Sequence, residues 1–199
     1  MTSPVAPTRV RILTVAADLF GTRGVDAVSL DEIAAAVGVR KQTVLYWFAS
    51  KDELVDAVIA DTAVQLGAAI EAAVRAAPDD PLDRIDSIVT AVFRAAVRTP
   101  SLLGLVRELS RLPEARAERL RQHLQPFADR AIVYLGAEMD AGRLRHGDPR
   151  LVAVLASATV TGIATDPEAL RAVGWTANIV ALRHLRDELR AFLRAALTP

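Results

Sequence analysis

The stretch SLDEIAAAVGVRKQTVLYWF, Ser29 to Phe48, leaves this chain few ways to fold. Leu30, Ile33, Ala34 and Val37 follow the i, i+3, i+4, i+7 spacing of a half-buried helix. Ser29 and Glu32 fit a capping box, in which the serine hydroxyl accepts a backbone N–H and the carboxylate reaches back to the serine's own. Gly38 supplies the C-cap. A second short helix beginning directly beyond that glycine gives the spacing of a helix-turn-helix, whose second helix enters the DNA major groove. At about 100° per residue, Val44 and Phe48 project together and can pack on the preceding helices. Gln42, Thr43, Leu45 and Tyr46 then look broadly outward, flanked by Arg40, Lys41 and Trp47.

That outward set suits DNA. Glutamine pairs with adenine, threonine and leucine touch a thymine methyl, and a tyrosine hydroxyl reaches a phosphate or base edge. Lys41 and Lys51, the only lysines in the chain, bracket the reading helix as phosphate contacts. Ser29 lies at a helix N-terminus whose free N–H groups suit another phosphate, and Arg9 and Arg11 can add contacts from the N-terminal arm. With 24 basic and 24 acidic residues the whole molecule carries no net field, so any hold on nucleic acid must be local.

Breakers divide the chain into about nine helices and an all-α fold. The first covers 8 to 22, with Ile12, Leu13, Ala16, Leu19 and Phe20 apolar. Ser50 caps a fourth that starts at Lys51 and runs to about 76. Pro81 opens a fifth to about 98, and Pro100 and Pro113 bound a short sixth. The next spans about 114 to 141, where Pro126 predicts a kink. The last two occupy about 149 to 164 and 175 to 197, joined by TDPEALRAVG. The first three helices are short and the later ones long and rich in Ala, Val and Leu. We therefore expect a small N-terminal module over 1–50, which holds the DNA-binding helices, and a larger helical body over 51–199.

ILTVAADLFGTRGVDAVSLDEIAAAVGVRKQTVLYWFASKDELVDAV, residues 12 to 58, closely resembles the DNA-binding domain of TetR-family transcriptional regulators. The shared features are the A-x-x-L-F-x-x-x-G of the first helix, S-L-D-E-I-A-x-x-V-G-V, K-x-T, and F-x-S-K-D-E-L. The resemblance implies a homodimer on a palindromic operator, usually a repressor, released when a small molecule enters the C-terminal domain. Leu45 stands where many relatives have tyrosine, Tyr46 and Trp47 where His and Tyr are frequent, and Gln42 where Gly or Pro is common. The operator sequence does not transfer.

Two modules about one DNA turn apart read with more affinity than one, which also favours a dimer. Leu182, Leu185, Leu189, Phe192 and Ala196 recur at spacings of three and four. With the small residues Ala153, Ala156, Ala158 and Gly162 of the preceding helix, they can form a four-helix interface with a second copy. For a small, mainly apolar effector, Phe93, Leu103, Phe127, Tyr134 and Met139 are candidate lining residues, and Arg107, Glu108 and His123 candidate polar anchors.

An enzyme is the competing class. His123, His146 and His184 form no ligand-type pair, and neither a G-x-S-x-G nor a phosphate-loop glycine pattern occurs. The absence of cysteine excludes disulfides and thiolate metal sites and suits a cytoplasmic protein. We expect no catalytic site, metal or cofactor. The longest uncharged stretch, 151 to 165, is short of a membrane span, and the N-terminus lacks a cleavage pattern, so no membrane partner is expected.

Overall fold

The computed structural model describes residues 7–99, 114–165, 167–176 and 178–199, without the side chains at 115, 116, 119, 120, 123, 163–165 and 167–169. Nine helices and no strand occur among the described residues: α1 (Thr8–Arg23), α2 (Leu30–Val37), α3 (Lys41–Trp47), α4 (Lys51–Ala76), α5 (Pro81–Arg98), α6 (Glu114–Asp140), α7 (Pro149–Thr165), α8 (Pro167–Ala172) and α9 (Ile179–Leu197). The all-α expectation holds. The short helix expected between Pro100 and Pro113 lies outside the described residues.

Two expectations need adjusting. The connector TDPEALRAVG contains α8, opened by Pro167 at the first helical position, where its missing N–H costs nothing. The last helix begins at Ile179 rather than near 175, because Asn178 turns its side-chain oxygen onto the N–H groups of Val180 and Ala181 and fixes the start there. Helix α6 runs through Pro126 as one element.

The chain divides into two compact units, Met1–Gln65 with Arg98–His123, and Leu66–Val97 with Leu124–Pro199. In the first unit, Ile12, Leu13, Ala16 and Phe20 of α1 pack with Val28, Ile33, Ala34, Val37, Val44 and Phe48. The same core draws in Leu54, Val55, Val58 and Ile59 from the first turns of α4. By length and composition α4 is apolar enough to cross a membrane, but these four residues spend its N-terminal apolar face on a protein core.

The second unit holds two apolar clusters. Leu135, Met139, Leu144 and Leu197 form one, with Leu82, Ile85, Val152 and Ala153 against it. Val89, Leu189 and Leu193 form the other, with Phe93, Ala156 and Val160. Charge joins α5 to α9: Arg194 donates to Asp83 (2.7 Å) and Asp86 (2.6 Å), and Arg190 donates to Asp86 at 3.0 Å. Where α4 meets α6, a Cβ on Gly67 would collide with the Phe127 ring, so only glycine accepts that ring without displacing it. The Arg130 guanidinium lies 4.9 Å from the centre of that ring and reaches Glu71 at 2.8 Å.

Candidate nucleic-acid interface

Local chemistry sets both ends of α2. Ser29 Oγ accepts from Glu32 N (3.2 Å), while Glu32 Oε2 accepts from Ser29 N (2.8 Å), completing the capping box. At the other end Gly38 adopts φ 77°, ψ 38°, a left-handed conformation that strongly favours glycine. Its N–H bonds Ala35 O and the Val39 N–H bonds Ala34 O, closing a Schellman turn. The chain is thereby turned sharply into α3.

Helix α3 has seven residues, too few to persist alone, so its packing decides its existence. Val44 is 0% exposed and Phe48 2%, and both lie in the N-terminal core. Gln42, Leu45, Tyr46 and Trp47 are exposed, Tyr46 at 80%, and Thr43 is half-buried. The two outward aromatic rings meet edge to face at 5.3 Å. Arg40 and Lys41 stand exposed at the start of the helix, and Lys51, half-buried, stands just past its end. The division of the helix into a hidden and an offered face is therefore the one its periodicity predicts.

The flanking charges are more occupied than their sequence positions suggest. Lys41 Nζ lies 2.7 Å from Asp31 Oδ2, and Lys51 Nζ lies 3.4 Å from the Asp26 carbonyl. Arg11 donates to Val37 O at the end of α2 and so braces the turn, and Arg9 sits 5.4 Å over the Phe48 ring. Neither arginine hangs loose from an N-terminal arm. No spacing rule links residues 26 apart, so sequence reading could not have found the Arg11 brace.

Glu32 is held at a pKa of about 2, below its ordinary 4.5, first by the Ser29 backbone N–H, then by the Arg23 guanidinium at 2.7 Å and the Ser29 hydroxyl. A carboxylate depressed in the folded state stabilises the fold above its unfolded pKa and loses that contribution as pH falls toward the folded value. Glu32→Gln should therefore flatten the acid dependence of N-terminal unfolding between about pH 5 and pH 2. Melts of wild type and variant followed by Trp47 fluorescence check this; parallel acid limbs would contradict it.

The other sites expected from sequence are dispersed. Phe93 packs on the Val89 cluster, Met139 belongs to the Leu135 cluster, Phe127 faces Gly67, and Tyr134 lies beneath Arg84, whose guanidinium carbon is 5.4 Å from its ring centre. Leu103, Arg107 and Glu108 lie outside the described residues, as does the side chain of His123. On α9, Leu182 and Leu185 are half-buried and Phe192 is exposed. Leu189 is enclosed in its own chain's core, because it meets Val89 and Leu193 there. Ala153 and Ala156 also face the unit's own clusters, whereas Ala158 and Gly162 are exposed. Among the described residues no group of three or more His, Asp or Glu side chains could hold a metal ion.

Residues 12–58 match the family model for bacterial regulatory proteins, tetR family. The whole fold is similar to that of several solved proteins. The fatty acid degradation regulator FadR of Bacillus halodurans superimposes with a TM-score of 0.79 at 16% identity, covering 96% of each chain. FadR of Bacillus subtilis in complex with stearoyl-CoA gives 0.80 at 15% identity, covering 94% of this chain and 98% of that one. The ketosteroid transcriptional regulator KstR2 of Mycobacterium tuberculosis gives 0.73 at 21% identity, covering 98% and 97%. No curated protein matches the chain in sequence.

Proposed function

We propose that this chain, whose residues 12–58 match the model for bacterial regulatory proteins, tetR family, is an effector-responsive repressor which binds a palindromic operator as a homodimer. The observation that carries the reading is α3: Val44 and Phe48 are buried beneath it while Gln42, Leu45, Tyr46 and Trp47 stand in solvent beside Arg40 and Lys41. An exposed leucine and two exposed aromatics on so short a helix have a task in reading base edges and sugar–phosphate. Ser29, Thr43 and Lys51 complete the contact set, and residues 1–50 carry the reading function.

Lys41→Ala should weaken binding alike on all sequences and lower the slope of log K against log salt by about one, the signature of a lost phosphate contact. Tyr46→Ala should instead change which half-site is selected from random DNA. Titrations across salt and selection of bound fragments measure the two. A wild-type protein that retains no duplex at low salt would sink the proposal.

The dimer reading is supported by apolar surface on the second unit. Leu151, Val154 and Leu155 of α7 and Phe192 of α9 are all more than half exposed, and Ala158 and Gly162 permit close approach. With half-buried Leu182 and Leu185 they offer a face for a second copy, to which Leu189 contributes only from beneath. Sedimentation of Leu155→Asp with Phe192→Asp tests it, with monomer expected.

A small, mainly apolar effector bound within 51–199 is supported by the apolar composition of α4 to α9 and by the lipid-related names of the similar folds. Such an effector releases DNA only if it binds the free and operator-bound states differently. Helix α4 contributes to both compact units and is the element through which the two states would differ. The protein acts in the cytoplasm, without catalysis, metal or cofactor.

A further inference from the structure

Resting on the DNA-reading proposal above, we infer that Asp31 is an internal stand-in for a DNA phosphate: it holds the Lys41 ammonium in the unbound protein and is exchanged for a phosphate oxygen on binding. Asp31 is the second residue of α2 and Lys41 the first of α3, brought face to face across the Gly38 turn, with Nζ 2.7 Å from Oδ2. The lysine's charge is thus met by a carboxylate before DNA arrives.

The neighbouring acid has other work. Glu32 closes the capping box with Ser29 and binds Arg23 at 2.7 Å. Asp31 makes its contact with Lys41 instead. Both members of the pair are solvent-exposed, 44% and 66% by side chain, so water and a competing anion reach them. An exposed pair of this kind holds its lysine by no more than about a fivefold factor, weak enough for a phosphate to displace the carboxylate.

Exchange leaves a bare carboxylate beside the DNA backbone. That carboxylate repels the phosphates and takes up a cation, so Asp31 lowers affinity and flattens the salt dependence. Weak, fast-exchanging contact on arbitrary sequence is the functional gain: the lysine commits only where the rest of α3 also fits.

The test is Asp31→Asn, which keeps the shape and removes the charge, measured by titrating the full-length protein into a labelled random-sequence duplex across salt. Tighter binding by about fivefold at about 50 mM salt is expected, with a salt slope steeper by up to one. In a Lys41→Ala background the gain should be smaller, because no lysine remains to be released and only the carboxylate's repulsion of phosphate is lifted. Equal gains in both backgrounds would reduce Asp31 to a general negative charge and overturn the exchange. Weaker binding by Asp31→Asn, with unchanged thermal melting, would make it a positioning group for Lys41 and overturn it too. Wild-type binding with an indifferent Asp31→Asn defeats this inference alone, whereas a wild type that binds no duplex defeats the functional reading beneath it.

Discussion

Asp86→Ala is expected to destabilise the second unit by about 2 to 4 kcal/mol. Asp86 is 8% exposed and accepts from both Arg190 and Arg194, residues more than a hundred positions away on α9. Removing it takes one carboxylate partner from each of two guanidiniums at the α5–α9 seam. Arg194 keeps Asp83 at 2.7 Å, but Arg190 retains only Asp187 at 3.6 Å, and its Nε is already buried without a partner. The fully buried limit of about 5 kcal/mol does not apply, since the side chains of Arg190 and Arg194 remain 37% and 40% exposed and are partly hydrated. Replacing all three together, Asp86→Leu with Arg190→Met and Arg194→Met, should restore most of the loss, because breaking an ion cluster costs more than never having one. Trp175 in the second unit and Trp47 in the first allow each to be followed separately, using Trp47→Phe as background. A urea midpoint unmoved by Asp86→Ala would refute the account.

The second large effect concerns the reading helix. Phe48→Ala removes a ring that is 2% exposed from a core shared by α1, α2 and α4, at a cost of about 3 to 5 kcal/mol. A module of this size has little stability to spare. Only Val44 and Phe48 anchor the α3 segment fully in the core, so losing one should fray the helix and lower DNA affinity by at least about a hundredfold. Phe48→Leu, which keeps most of the apolar volume, should recover much of it. Hydrogen exchange at the Phe48 amide, bonded to Val44 O at 2.9 Å, reports the fraying directly. Binding within about threefold of wild type would show that α3 has support beyond these two side chains.

What the sequence disclosed was whatever short-range rules govern. The Ser29–Glu32 box, the Gly38 turn, the start of α4 at Lys51 and the two faces of α3 each depend on residues within one or two helical turns. The ion cluster of Asp83, Asp86, Arg190 and Arg194 depends on how distant helices meet, and no local pattern announces it. Leu189 illustrates the same boundary. Its period places it on a stripe with Phe192, but a stripe only names a face, and the neighbouring Val89 decided which of the two would be covered within the chain. The pairing of Lys41 with Asp31 joins residues ten apart across the Gly38 turn, where no helical period links the two side chains.

Because the N-terminal core takes Leu54, Val55, Val58 and Ile59 from the helix that leads onward, this reader cannot be grafted as a cassette cut at its last turn. A chimera joined at residue 50 would inherit the letters of the recognition sequence without the floor beneath them. One joined past Ile59 would carry that floor with it.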